Sequence, residues 1–406
     1  MISVQTAREH ILASLTPPKI THCPLTQAAG RLLAESIHAQ TDLPTFDNSS
    51  VDGFAVRASD VVAAPVSLPV VADIPAGQVA ALTLQAGQAA RIMTGAALPA
   101  GADAVVMVEE TDFYHQAAGM KAPAQVVINK PVRAGENLRP RGMDIRRGQE
   151  ILRAGRVLRA QDIGLLAMLG VATVPVWKKP KVALLSSGDE LLPVEAPLEA
   201  GKIHDSNSYM LAAQVEQAGG EVLRLGVAQD YREQVQALLE QAVQAGADVI
   251  ISSAGMSVGA YDFVREVVES AGTLTFWKVN MRPGKPVAFG TYRGIPFFGL
   301  PGNPVSCFVS FLVFARPALR RLGGFETDQA SPVRVQLAEA LESDGRESYL
   351  RAQVSHQNGL LVAHLTGHQG SGNLFSLVQA NALLIIPSGV KSCPPGSEVE
   401  AWLLED

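Results

Sequence analysis

The chain has 406 residues, of which 47% are hydrophobic and 18% are charged, and its formal net charge is −6. This length and composition predict two to four globular domains, each with its own apolar core. The negative charge argues against a general nucleic-acid binder and a cationic membrane-surface protein, so an anionic substrate would need a locally positive pocket.

Three cysteines, Cys23, Cys307 and Cys393, are widely spaced and form no CxxC pair. We therefore expect neither a disulfide framework nor a thiolate zinc site. The first residues lack the long apolar segment of a signal peptide, and the most apolar stretch, near residues 305–315, is shorter than the ~20 residues of a membrane helix. These features predict a soluble cytoplasmic protein that binds neither membranes nor nucleic acid.

The first 45 residues predict two helices, Val4 to Ser14 and, after a proline break, about Leu25 to Glu35. From residue 42 to about 139, short Val, Ile and Leu runs alternate with prolines and glycines, which predicts a small β-rich domain. Residues 133–159 contain eight arginines. They fit an anion-facing or dimer-facing ribbon, and equally a solvated charged strand.

From Lys181 the pattern changes to alternating strands and helices, which predicts a three-layer α/β domain. The predicted strands cover residues 181–187, 221–227, 248–253, 273–280, 286–291 and 296–300. The predicted helices cover residues 207–218 behind a Ser206 cap, 232–245, 262–270 and 305–322. The remaining residues, 326–406, have strand-like runs with glycine and proline turns and predict a small β-barrel.

Polar loops follow three of the predicted strands directly, at residues 186–190, 253–259 and 299–306. In open α/β sheets, ligands bind beyond the carboxyl ends of the strands, where loop amides and helix N-termini favour anions. The segment from Trp277 to Pro286 adds three cations in a loop stiffened by prolines and a glycine, although a charged hairpin turn would have the same composition. Together these features predict an anion pocket.

Six motifs give the chain its resemblance to a known family. They are Phe46 to Arg57 (FDNSSVDGFAVR), Arg91 to Ala96 (RIMTGA), Arg141 to Ile145 (RGMDI), Ser187 to Leu191 (SGDEL), Lys285-Pro286 with Gly299 to Ser306, and Gly367 to Gly372 (GHQGSG). In this order they make essentially the whole chain similar to the MoeA and gephyrin E-domain family.

The resemblance implies a multidomain α/β protein with four parts. These are a linking and dimerisation domain (residues 1–45 and 140–178), a β-rich lid domain (46–139), a MogA-like α/β molybdopterin-binding domain (179–325) and a C-terminal small β-barrel (326–406). It also implies a homodimer with composite active sites. In that dimer, Asp52, Thr94 and Asp144 of one chain would face the Lys285 and Glu190 loops of the other.

The resemblance implies a molybdopterin molybdenumtransferase, which inserts molybdate into adenylylated molybdopterin, releases AMP and uses Mg²⁺ at the phosphates. The upstream partner would be a molybdopterin adenylyltransferase. By match to the motifs, the residues expected to bind molybdate and substrate are Lys278, Arg282, Lys285, Pro301, Pro304, Ser306, Arg351 and Ser371. The residues expected to be catalytic are Asp52, Thr94, Asp144, Glu190, Asp230 and Asp262, with Glu190 and Asp262 as the magnesium ligands.

Three positions depart from the family pattern. Ala254 replaces a glycine and could narrow the pterin slot, Arg282 replaces the first lysine of a KPGKP motif, and Val51 replaces a methionine. The carboxylates cannot all hold molybdate, because like charge would repel it. Some are expected to hold magnesium or to position water, and others to protonate the departing oxo group, and their individual roles stay open.

Other functions remain open from the sequence. A molybdopterin adenylyltransferase shares the α/β domain, and a gephyrin-like scaffold would need no chemistry at all. Residues 255–259 (GMSVG) also fit the G-x-S-x-G elbow of serine hydrolases, with Ser257 as nucleophile and histidines 356, 364 and 368 downstream. His364 and His368 have a spacing seen in metal sites, but they fall in a predicted strand and turn, which disfavours a zinc pair.

Overall fold

The computed structural model describes residues 1–114, 121–229, 231–253, 263–326 and 332–404. The chain divides into two compact units, a larger one of Met1–His22 with Pro175–Asp406 and a smaller one of Cys23–Val174. Within the described ranges, no helix is long and apolar enough to cross a lipid bilayer.

A six-stranded mixed sheet forms the centre of the larger unit. Its strands lie in the order Glu221–Ala228, Lys181–Ser187, Val249–Ser253, Ile295–Leu300, Ala288–Tyr292 and Gly272–Phe276. The first four are parallel and the last two join in antiparallel pairs. The strands predicted in this region are therefore confirmed.

Helices cover both faces of this sheet because successive side chains of a strand point to opposite faces. Val182 and Leu184 pack on one side and Ala183 and Leu185 on the other. The first side also holds the helices Val4–Ala13, Ser206–Gln217 and the one beginning at Pro304, and the second side holds Arg232–Gln244 and Phe263–Ala271. The predicted three-layer α/β domain is confirmed.

The helices of the structure differ from the predicted helices in two details. Asp205, and not Ser206, caps the helix Ser206–Gln217, since its carboxylate accepts a hydrogen bond from the Ser208 amide at 3.1 Å. The last helix runs from Pro304 to Leu322 but contains a π-helical segment at Phe311–Ala315. Pro317 has no amide hydrogen for an α-helical bond, and the local change of hydrogen-bond pattern accommodates it.

The second predicted helix, Leu25 to Glu35, was wrong. Only Leu25–Gln27 forms a short 3₁₀ turn. Gly30 then adopts a left-handed conformation, and the Leu33 amide donates to the Arg156 carbonyl at 2.9 Å. Hydrogen bonds to a distant stretch of chain outweigh the local helix propensity of these residues.

The C-terminal residues form a closed five-stranded barrel. Its strands pair in a ring: Glu347–Gln357, Leu360–Leu365, Val333–Leu337, Glu398–Leu403, Ala382–Ile386 and back to Glu347–Gln357. The predicted small barrel is confirmed. The short strand Met281–Arg282 adds to this barrel by pairing in parallel with Glu347 and Ser348.

The smaller unit is β-rich, as predicted. A five-stranded sheet has the order Ala104–Met107, Gly53–Val56, Ala89–Ile92, Val66–Ile74 and Gln125–Ile128. Shorter pairs join Ile37–His38 to Glu150–Leu152 and Asn48–Ser49 to Leu138–Arg139, and one helix covers Ala160–Met168. Phe54, Val56, Leu68 and Val126 are central to the core on one side of the sheet.

Five of the eight arginines between residues 133 and 159 pair with carboxylates of the smaller unit. These are Arg139, Arg141, Arg153, Arg156 and Arg159. Arg156 makes a forked contact with the buried Asp162 at 2.8 and 3.0 Å. For these five arginines, the structure favours a self-compensated charged surface over an anion-facing ribbon.

Candidate functional site

A cavity of about 920 Å³ opens at the carboxyl ends of the parallel strands of the larger unit. Segments that follow three of these strands line it, through Glu190, Ser253 and the stretch from Pro301 to Ser306. The other lining residues are Leu191, Ile203 to Asn207, Arg282 to Pro286, Arg346 and Gln369 to Gly372. The cavity lies where the polar loops of the sequence predicted an anion pocket.

A basic loop, residues 279–286, forms one wall of the cavity. Gly284 has a φ of +105°, and a Cβ atom at this position would lie 2.5 Å from the Ser310 hydroxyl oxygen. Only glycine fits both constraints. The loop brings Arg282 and the exposed Lys285 to the cavity, and neither forms an ion pair with a carboxylate in the described part of the chain. Their charges are therefore available to an anion.

Ser306 contributes a hydroxyl group from the first turn of the helix that begins at Pro304. It is 5% exposed and lines the cavity. Its hydroxyl makes no hydrogen bond with any residue that the structure describes. A nearly buried hydroxyl without a protein partner is suited to bind a ligand oxygen.

A glycine-rich loop, Gly367 to Gly372, supplies Ser371 and is tied directly to the same helix. Asn303 donates from Nδ2 to the Ser371 hydroxyl oxygen at 3.0 Å, and the Val305 amide donates to the Ser371 carbonyl at 3.0 Å. These two contacts hold Ser371 next to the start of the helix that carries Ser306.

Arg351 lies beneath the glycine-rich loop and is 0% exposed. Its guanidinium donates to the carbonyl oxygens of His368 (3.1 Å), Gln369 (3.2 Å) and Gly370 (3.0 Å) and to the Ser376 hydroxyl (3.0 Å). Burial, and secondly the positive charge of Arg282, lower the pKa of Arg351 to about 10. Arg351 was expected to bind molybdate, but its side chain is not part of the cavity lining.

Arg346 is a cavity residue that the sequence did not single out. Its guanidinium pairs with Asp344 at 2.5 and 3.0 Å and donates to the Met281 carbonyl at 3.1 Å. This contact attaches the basic loop to the barrel strand Glu347–Gln357. In the sequence, Arg346 follows a turn glycine in a strand-like stretch. Nothing in this context predicts a ligand-binding residue.

The cavity lining also includes Glu190, His204, Asp205 and Asn207. Asp205 is buried and caps a helix, while the carboxylate of the exposed Glu190 accepts no hydrogen bond from any described residue. Asn207 donates to the Gly302 carbonyl at 2.8 Å, but its buried Oδ1 has no partner in the described protein. The sequence predicted Glu190 and missed His204, Asp205 and Asn207. His204 belongs to the short strand Ile203–His204, and Asp205 and Asn207 belong to the start of the helix that follows, so none of them lies in a recognised motif.

Lys278, the remaining predicted cation, does not line the cavity. Its backbone carbonyl instead accepts a hydrogen bond from the Ile2 amide. Pro301 and Pro304 do line the cavity, as rigid parts of the loop that precedes Ser306.

Three predicted residues lie in the smaller unit. Asp52 Oδ1 accepts hydrogen bonds from both the hydroxyl and the amide of Thr94, each at 2.7 Å. These donors, the hydroxyl first, lower the pKa of Asp52 below its usual value. Asp144 pairs with Arg139.

Several predictions fall outside the described residues. Asp230, Asp262, Ala254 and the GMSVG stretch with Ser257 belong to this group. Within the described ranges, no group of three or more His, Cys, Asp and Glu side chains could by itself hold a metal ion. Mg²⁺ needs only one or two protein carboxylates when substrate phosphates supply other ligands, and the exposed, unpartnered Glu190 carboxylate fits that requirement.

Three family models together match most of the chain. The MoeA N-terminal region (domain I and II) matches residues 2–170, the probable molybdopterin binding domain matches residues 183–321, and the MoeA C-terminal region (domain IV) matches residues 334–404. The cavity is lined by residues that lie mostly in the second match, with Arg346 and the glycine-rich loop in the third.

Similar proteins cover the chain almost completely. A molybdopterin molybdenumtransferase of Nostoc sp. is 40% identical over 92% of this chain and 86% of its own length. Molybdopterin molybdenumtransferase 2 of Mycobacterium tuberculosis is 39% identical over 99% of both chains. The crystal structure of a molybdopterin biosynthesis MoeA protein from Pyrococcus horikosii has a TM-score of 0.81, with 33% identity and complete coverage of both chains.

Proposed function

Since this chain belongs to the MoeA family, we propose that it is a molybdopterin molybdenumtransferase, which inserts molybdenum from molybdate into molybdopterin. The observation that carries this proposal is the cavity of the larger unit. There, the cations Arg282 and Lys285, unpaired among the described residues, line the same cavity as the free hydroxyl of Ser306, on a protein whose net charge is −6. Such a pocket attracts an oxyanion that the rest of the surface would repel.

The chemistry requires a tetrahedral dianion to be held while its oxygen atoms are replaced. Lys285 and Arg282 would attract molybdate, and the hydroxyls of Ser306 and Ser371 would donate hydrogen bonds to its oxygens. The dithiol of the substrate then displaces one oxygen: MoO₄²⁻ and the dithiol give a trioxomolybdenum dithiolene dianion and one water. Two molybdenum–sulfur bonds form, one molybdenum–oxygen bond breaks, and the two thiol protons leave with that oxygen.

We further propose that the substrate is adenylylated molybdopterin and that water cleaves its phosphoanhydride bond, which gives AMP and leaves a terminal phosphate on the cofactor. The volume of about 920 Å³ supports this, because binding sites of about 300–1,000 Å³ enclose ligands far larger than molybdate. Glu190, with Asp262, would hold Mg²⁺. When bound, the ion would neutralise negative charge on the phosphate oxygens.

The assembly and setting of the protein are proposals that rest on the family resemblance. The protein would be a cytoplasmic homodimer whose composite sites include Asp52, Thr94 and Asp144. Its upstream partner would be a molybdopterin adenylyltransferase. The cavity residues all belong to the larger unit, so the second chain of a dimer would add the smaller unit's residues to a cavity that already exists.

Reconstitution of an apo-molybdoenzyme tests the function. Purified protein, adenylylated molybdopterin and molybdate should together activate the apo-enzyme and release AMP, and omission of molybdate should abolish activation. Formation of adenylylated molybdopterin from ATP and free molybdopterin would instead support an adenylyltransferase. Neither activity from a folded protein would support a scaffold and contradict the proposal.

A further inference from the structure

The cavity lining contains a carboxylate that the proposed reaction does not use. Asp205 lines the cavity and is 4% exposed. Its Oδ1 accepts a hydrogen bond from the Ser208 amide at 3.1 Å, and its own amide donates to the Leu192 carbonyl at 2.9 Å. The first contact caps the helix Ser206–Gln217, and together the two contacts hold Asp205 in place.

The second carboxylate oxygen of Asp205 is available to a ligand. Oδ2 accepts no hydrogen bond from any residue that the structure describes, and no described cation forms an ion pair with this carboxylate. The ring of the neighbouring His204 is used elsewhere, since its Nε2 donates to the Ala196 carbonyl at 2.9 Å. A carboxylate has about four acceptor positions, and the helix cap occupies only one of them.

The burial of Asp205 increases the value of a hydrogen bond from a ligand. A nearly buried negative charge without a cation partner is unfavourable, and the amides at a helix start offset it only in part. The charge also acts on the buried thiol of Cys307, whose pKa is raised first by burial and second by Asp205. N–H groups of a ligand directed at Oδ2 would form charge-assisted hydrogen bonds in surroundings of low polarity.

The negative charge of Asp205 decides which part of the substrate can face it. A carboxylate repels phosphate and molybdate oxygens, which Arg282 and Lys285 of the same lining attract. The pyrimidinone ring of a pterin presents a ring N–H and an exocyclic amino group side by side, so both can donate to one carboxylate. In adenine the amino group lies between two ring nitrogens that are acceptors. Of the two heterocycles in adenylylated molybdopterin, the pterin is therefore the complementary one.

The neighbouring lining also fits a flat heterocycle. Leu191 and Ile203, which are paired in register, and Pro301 contribute apolar groups to the cavity. Asn207 donates from Nδ2 to the Gly302 carbonyl at 2.8 Å, so the helix start that carries Asp205 is tied to the loop that contains Pro301. Apolar groups with a few fixed polar atoms are typical of sites that bind small organic molecules.

We propose that Asp205 determines the specificity for the pterin, and that its carboxylate accepts hydrogen bonds from the ring N–H and the amino group of the pyrimidinone edge. The pterin then lies at the start of the helix Ser206–Gln217, and the adenine lies away from it. This inference rests on the proposed function, because it takes the substrate to be a pterin and adds the residue that recognises it.

The test compares two fluorescent ligands on the full-length protein, without magnesium or molybdate. Pterin carries the amino group, and lumazine carries an oxygen atom in its place. Quenching of the ligand fluorescence measures each dissociation constant. The native protein should bind pterin about 10- to 100-fold more tightly than lumazine, because the lumazine oxygen offers the carboxylate no hydrogen.

Three variants complete the test. Asp205→Ser removes the carboxylate but keeps a good helix cap, and it should abolish the preference by weakening pterin binding about tenfold or more. Asp205→Asn also caps helices but keeps one acceptor atom, so it should lose a smaller factor, and it replaces Asp205→Ser if that variant does not fold. Glu195→Gln removes an exposed charge of the preceding loop outside the cavity lining and should change neither dissociation constant.

Three results would overturn the proposal. They are a native protein that does not prefer pterin to lumazine or binds neither, an Asp205→Ser protein that keeps the preference, and an effect of Asp205→Ser that appears only when magnesium is added. The last result would make Asp205 a metal ligand. The measurement uses no turnover, so failure of the reconstitution assay with the pterin preference intact would contradict the proposed function and leave pterin recognition standing.

Discussion

Asn303 donates a hydrogen bond to the hydroxyl oxygen of Ser371 at 3.0 Å, and this contact restricts the directions in which the Ser371 hydroxyl can donate its proton. A hydroxyl has one proton and two acceptor positions. With one acceptor position filled by Asn303, the proton of Ser371 remains available to an oxygen atom in the cavity. Asn303 therefore acts on the site through Ser371.

The first prediction tests this coupling. Asn303→Ala should weaken molybdate binding by about 2- to 12-fold, the range given by a hydrogen bond worth about 0.5–1.5 kcal/mol. Ser371→Ala should have less effect in the Asn303→Ala background than in the native protein, measured as a double-mutant cycle by calorimetry. Strictly additive losses would show that Asn303 does not act through Ser371.

The second prediction concerns the basic loop. Lys285→Ala should weaken molybdate use by on the order of 10–100-fold, because a contact with a charged group is worth about 1.5–3 kcal/mol. Binding of the adenylylated pterin should change much less. Lys278→Ala is the matched control, since Lys278 belongs to the same segment but does not line the cavity. Equal losses of molybdate and pterin affinity would mean that the anion binds elsewhere.

The third prediction concerns the proposed magnesium ligands. Glu190→Gln should slow AMP release and raise the magnesium concentration needed for half-maximal rate, because an amide is a weaker magnesium ligand than a carboxylate. Asp262→Asn should do the same. Glu195→Gln, an exposed change in the same segment, serves as control. Normal AMP release by both site variants would contradict the magnesium assignment.

The fourth prediction concerns pH. The Thr94 hydroxyl and amide hold the pKa of Asp52 below its usual value. The stabilisation from a carboxylate with a lowered pKa is present above its unfolded-state pKa and is lost as the pH falls through the folded-state pKa. Thr94→Val removes the hydroxyl donor, so the pKa of Asp52 should rise towards its usual value.

Carbon-13 NMR of the side-chain carboxyl group, assigned by its loss in Asp52→Asn, measures this pKa directly. Acid unfolding of Thr94→Val should begin at a higher pH than that of the native protein. An unchanged Asp52 titration would show that the Thr94 hydroxyl does not stabilise the carboxylate.

The fifth prediction tests the composite dimer. Asp52→Ala and Lys285→Ala chains, each inactive alone, should complement after co-refolding in equal amounts. About half of the dimers are then mixed and each has one intact site, so roughly a quarter of sites should be active. No recovery, with mixed dimers verified by tag pull-down, would mean that each site is built within one chain.

The elements that the sequence predicted correctly are those with a regular local pattern. Strands such as Lys181–Ser187 are buried on both faces and read as apolar runs, and the polar loops after them led directly to the cavity. Ser306 and Lys285, which were singled out through the motifs Gly299 to Ser306 and Lys285-Pro286, both line the cavity. In such stretches, the local pattern and the tertiary structure agree.

The differences arise where distant contacts decide the structure. Gly30 and the hydrogen bond from Leu33 to Arg156 replace a helix that the local sequence favours. Arg351 belongs to a strand of the barrel, and only the course of the chain places its guanidinium beneath residues 368–370 rather than in the cavity. Arg346 meets the Met281 carbonyl across 65 positions in the sequence, so no short motif reveals it.

The pairing of Met281–Arg282 with Glu347 and Ser348 has a consequence for how such proteins can be recombined. Arg282 and Arg346 reach the same cavity from opposite sides of one short ladder, although one belongs to the α/β domain and the other to the barrel. A chimera that takes its barrel from a relative inherits a foreign neighbour for its own basic loop. Functional exchange of barrels therefore requires transplanting residues 279–286 as well. The basic loop and the barrel should be exchanged together, because neither segment keeps its native neighbour without the other.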